Sequence, residues 1–117
     1  MTAFYEVELT GAAKDGQLGT ANVANVKLRW KQPDGDVSTE ATVPFTASRL
    51  AASFDEAPPD LRFAAATAEY AEILRRSKHS EGARVDDVIT ILSASAKGDA
   101  DRLQLVDLVR QARGLWN

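Results

Sequence analysis

Two different periods run along this chain, one in each half. From Ala3 to Leu9 the apolar residues Tyr5, Val7 and Leu9 alternate with Glu6 and Glu8, the period of two expected of a half-buried strand. Residues 11–24 hold three glycines and no periodicity, which predicts a loop. Val26, Leu28 and Trp30 then alternate with Lys27, Arg29 and Lys31, predicting a second strand with an apolar inner face, Trp30 in the core, and a basic outer face. Pro33-Asp34-Gly35 supplies a turn, because proline presets φ and glycine takes positive φ. A third strand follows, with Val37, Ala41, Val43 and Phe45 on one parity and Ser38, Glu40 and Thr42 on the other.

The outer faces suggest a register. Antiparallel pairing of Val7 with Leu28 sets Glu8 opposite Lys27 and Glu6 opposite Arg29, and pairing Trp30 with Val37 sets Lys27 opposite Glu40 and Lys31 opposite Asp36. Such cross-strand charge pairs contribute roughly 0.2–1 kcal/mol each. A three-residue loop with a glycine bulge would instead shift the third strand by one position, turning Val43 and Phe45 to solvent. The hydrophobic pattern decides against that shift.

Beyond Phe45 the period changes. The stretch to Pro59 is a crossover with a short helical turn near Ser48–Ser53, and Pro58-Pro59-Asp60 starts a helix running to about Ser77. Its buried stripe is Phe63, Ala66, Tyr70, Ile73 and Leu74. A polar connector from Lys78 to Arg84 precedes a second helix, from about Val85 to Ala96, which presents Val88, Ile91 and Leu92 inward and is capped by Gly98. Asp99 or Asp101 caps a last helix whose stripe is Leu105, Leu108, Val109 and Ala112, with Val106 at its margin. Gly114 ends it. Strands first and helices after define an α+β fold, here a three-stranded antiparallel sheet packed on three helices, and 117 residues suit a single domain spanning residues 1–117.

Composition narrows the chemistry. Hydrophobic residues make up 44% and charged residues 26%, which is too apolar for disorder. A net charge of -3 has the wrong sign for a nucleic-acid footprint or a polybasic membrane patch. With no cysteine there is no disulfide, thiolate nucleophile or cysteine-bound zinc. The lone His79 supports neither a two-histidine metal site nor a catalytic relay. Asp99 and Asp101 lack the closing glutamate of a calcium loop, and no nucleophile elbow or phosphate loop occurs. No catalytic residue, cofactor or metal site is therefore assigned, and the chain is read as a non-enzyme.

Two features point to binding instead. Arg75, Arg76, Lys78, His79 and Arg84 form the densest basic cluster, suited to an anionic partner but also to the C-terminal end of a helix dipole. Trp116, beyond the last helix, either pins the C-terminus or anchors an interface. The competing catalytic reading is a small enzyme using Glu69 and Glu72, three residues apart on one helix.

Three stretches in order carry a family resemblance: Thr2-Ala3-Phe4-Tyr5-Glu6-Val7, Leu28-Arg29-Trp30-Lys31-Gln32-Pro33-Asp34-Gly35, and Phe63-Ala64-Ala65-Ala66 through Leu74-Arg75 and Ser77. Together they resemble the C-terminal domain, of unknown function, of bacterial proteins that carry a von Willebrand factor type A domain upstream. The last helix departs from that pattern, since Asp101 to Asp107 stand where the family has Gly-Tyr-Arg-x-Glu-Phe. The resemblance implies an accessory or protein-interaction domain rather than an enzyme, forming the C-terminal part of a longer protein. It also implies the upstream A-type domain as partner, with the divalent-cation site in that domain, and a cell-envelope or periplasmic setting. Exposed sheet edges are normally covered, so another domain's strand is expected to pair with this sheet.

Overall fold

The computed structural model describes residues 2–9 and 19–115. The chain divides into two compact units, Met1–Ala52 and Ser53–Asn117.

The first unit is built on a β-hairpin. Strand β1 (Asn22–Lys31) pairs antiparallel with β2 (Ser38–Thr46), and this two-stranded sheet is the whole sheet among the described residues. The expected third strand is thereby corrected. Residues 2–9 adopt no strand conformation, and Tyr5 and Val7 are 84% and 72% exposed. Alternation encodes a preference for a sheet with one buried face; where nothing buries the apolar parity, no free energy fixes the pairing. The expected ladder positions of Glu6 and Glu8 opposite β1 fall with it. Of the loop predicted at residues 11–24, residues 11–18 lie outside the described residues, and Asn22–Ala24 belong to β1 instead.

The hairpin register pairs Val26 with Val43, Leu28 with Ala41, Arg29 with Glu40, and Trp30 with Thr39. This differs by two residues from the predicted register, because the connection is longer than the Pro-Asp-Gly turn alone. Gly35 N–H donates to the Gln32 carbonyl at 3.0 Å, and Val37 stays outside β2. A shift of two preserves side-chain parity. The apolar face is consequently the predicted one, while Glu40 meets Arg29 instead of Lys27.

The second unit is helical. Helix α1 (Pro59–Leu74) starts with proline in its first turn and Asp60 beside it, as the sequence predicts. It stops earlier than Ser77 because Arg76 takes a left-handed φ of 52°. Ser77 N–H donates to Glu72 O and Arg76 N–H to Ile73 O, both at 3.0 Å, the paired bonds of a Schellman motif. Helix α2 (Val85–Ser95) carries Asp86 and Asp87 in its first turn. In the turn after it Lys97 and Gly98 have φ of 51° and 77°. Helix α3 (Ala100–Arg113) is capped by Asp99, whose Oδ1 accepts from Arg102 N–H at 3.0 Å.

The core of this unit is Ala66, Ile73, Val88, Leu92, Val106 and Val109, with Phe63, Tyr70, Ile91 and Leu105 packed against it. Leu74 and Leu108, expected in the stripes, are exposed. Each lies about 100° around its helix from a buried neighbour, Ile73 or Val109. Val106, expected at the margin, is buried instead. Polar clamps fix how the helices meet. Arg113 grips Asp86 through Nε at 2.8 Å and Nη2 at 3.0 Å. At the other end Arg102 pairs with Asp60 at 2.8 Å, donates to the Ser95 carbonyl at 3.4 Å, and lies 4.8 Å from the centre of the Phe63 ring. These ties run α2 and α3 antiparallel. Buried Ser95 satisfies its hydroxyl by donating back to the Ile91 carbonyl at 2.5 Å.

Candidate functional site

The hairpin offers the strongest candidate binding surface. Period-two alternation places Val26, Leu28 and Trp30 of β1 on one face, and the register sets Val43, Ala41 and Thr39 of β2 beside them. Val26 is 45%, Leu28 54%, Trp30 47% and Val43 42% exposed. Trp30, expected in the core, is therefore half exposed. Scattered apolar residues on a surface are ordinary, whereas a contiguous group on one face marks an interaction site.

The opposite face is polar. Arg29 Nη2 lies 3.2 Å from Glu40 Oε2, while Lys27 faces Thr42 and Lys31 faces Ser38. Neither lysine has a carboxylate opposite it in the ladder.

The basic cluster is dispersed over the end of α1 and the connector. Arg75 follows α1 and donates to Glu72 Oε2 from Nε at 3.1 Å and Nη2 at 2.8 Å. Its charge is thus already paired. Arg76 occupies the left-handed cap position, Lys78 and His79 lie in the short 3₁₀ turn Lys78–Ser80, and Arg84 is the residue preceding α2. His79 donates its backbone N–H to Ser77 Oγ at 3.2 Å. These local roles leave the cluster without a common focus. Trp116 lies outside the described residues; Leu115 before it is exposed.

The two carboxylates of the catalytic reading both lie in α1. Glu69 is exposed. The Glu72 carboxyl is held below its usual value of 4.5, chiefly by the Ser77 hydroxyl and then by Arg75. A general acid working near neutral pH needs the opposite shift. No cluster of three or more histidine or acidic side chains able to hold a metal ion occurs among the described residues. Sequence spacing also missed the Arg102 and Arg113 clamps, because their partners lie on other helices; Arg113 and Asp86 are 27 residues apart.

A two-stranded hairpin with an exposed apolar face, followed by a three-helix unit, defines an α+β protein with a candidate binding surface. The chain belongs to the family described as the C-terminal region of the uncharacterized protein YfbK, which it matches over residues 1–115. No curated protein and no solved structure matches it.

Proposed function

We propose that this chain is a non-catalytic protein-interaction domain whose working surface is the apolar face of the hairpin. The observation that carries this reading is the group Val26, Leu28, Trp30 and Val43, contiguous on one face and each roughly half exposed. Burying the remaining apolar area of Leu28 or Trp30 against a partner contributes about 1 kcal/mol per side chain, so a few such groups provide a useful share of an interface. Aromatic residues concentrate that energy, which makes Trp30 the central anchor.

The partner proposed is a von Willebrand factor type A domain preceding this region in the same polypeptide, in a bacterial cell-envelope protein. The support is the family resemblance together with the open face. Any divalent cation belongs to the A-type domain on this reading, and this chain supplies only the docking surface. Size-exclusion chromatography of the separately expressed chain and A-type domain tests it. Co-elution of the wild type and separate elution of Leu28→Glu is the expected result. Separate elution of both proteins, each folded, contradicts the proposed partnership.

A further inference from the structure

Resting on that interaction reading, we propose that the free edge of β1 accepts an extended strand from a partner polypeptide whose side chains alternate between apolar and acidic. A sheet of two strands has two outer edges, and β1 and β2 pair only with each other among the described residues. The two edges are not equivalent. β2 contains Pro44, which lacks an N–H and blunts an edge against further pairing. β1 contains no proline, and past an irregularity at Asn22–Ala24 its pairing is regular from Ala24 to Lys31, so its outer backbone groups offer the longer template for strand addition.

The side chains of β1 define what that strand must carry. Residues of an added strand alternate between the two faces. On one face they extend the apolar group of Val26, Leu28 and Trp30. On the other they meet Lys27, Arg29 and Lys31, of which only Arg29 has an acidic partner, Glu40, across the hairpin. Lys27 and Lys31 face Thr42 and Ser38, so their charges are uncompensated within the ladder. Acidic residues opposite them are favoured, and like charges are disfavoured. The same rule opposes pairing of β1 with β1 of a second copy, which would bring basic faces together.

The test is residue-resolved amide hydrogen exchange on the full chain. The probes are a capped synthetic peptide alternating valine with glutamate and a control alternating valine with lysine. At about ten times its dissociation constant the acidic peptide is expected to slow the outward-facing amides of β1 roughly tenfold. The lysine peptide is expected to leave them unchanged. The Lys27→Glu/Lys31→Glu double variant should reverse the preference, and Lys27→Gln/Lys31→Gln should abolish it, with the amides bonded between β1 and β2 reporting that the hairpin is intact. Equal effects of both peptides, slowing confined to β2, or no slowing would each overturn the proposal. So would slow exchange of these β1 amides before peptide is added, which would mean that the chain itself or a second copy fills the edge. None of these outcomes touches docking through the apolar face, which the chromatographic test with Leu28→Glu reads separately.

Discussion

Arg76 shows how the backbone conformation of one residue ends a helix. Its φ of 52° closes the α1 cap, and an L-residue with a β-carbon resists that region. Arg76→Gly is expected to stabilise the helical unit by about 0.5–1 kcal/mol, read as an upward shift of its thermal or urea midpoint. Unchanged or lower stability would contradict the cap assignment. Glu72 beside it gives a pH dependence. Its folded value lies below 4.5, so the unfolded chain binds the proton more readily. The associated stability is present above the unfolded value and is lost as pH falls through the lower folded one. Urea midpoints measured from neutral to acid pH should show this increment in the wild type and not in Glu72→Gln. Gly98 was legible as a cap because glycine announces positive φ; Arg76 carries no such sign.

At the scale of the element, Leu92 and Leu28 make a useful contrast. Both recur at apolar positions of a regular pattern, but Leu92 is fully buried and Leu28 is roughly half exposed. Leu92→Ala is expected to cost about 2–5 kcal/mol, whereas Leu28→Ala should change stability by no more than about 0.5 kcal/mol. Chemical denaturation followed by circular dichroism for the first and by hairpin amide exchange for the second checks both. A large loss from Leu28→Ala would mean that its face is already covered. Periodicity was sufficient to find the helices, because a stripe at three- and four-residue steps has one solution. It found both hairpin strands and the correct face, since parity survives a two-residue shift. The loop length that sets register depends on how Gln32 to Val37 close, which alternation does not encode. For the segment from Tyr5 to Leu9, a strand pattern was present but a ladder was not, because pairing requires a partner surface as well as a period.

For the whole molecule, the absence of catalytic motifs directed attention to surfaces, and the sequence singled out Trp116 and the basic cluster. The structure adds the hairpin face to these candidates, and Trp116 lies outside the described residues. Val26, Leu28 and Trp30 were readable as an apolar face but were expected inside. Sequence alternation identifies a face that favours burial; it does not say whether the covering layer belongs to the same chain. Arg75, meanwhile, is satisfied by Glu72, a pairing that lowers its availability to an anionic partner. Local helix spacing made that pair discoverable, whereas the ties made by Arg102 and Arg113 depend on how the helices come together. The central claim is that the hairpin face docks against a partner. It is tested most directly by Trp30 fluorescence in a Trp116→Phe background, recorded while the A-type domain, with its own tryptophans replaced, is added. A saturable blue shift, lost in Leu28→Glu, is the result this account predicts; a binding signal by chromatography with Trp30 emission unchanged would place the interface elsewhere.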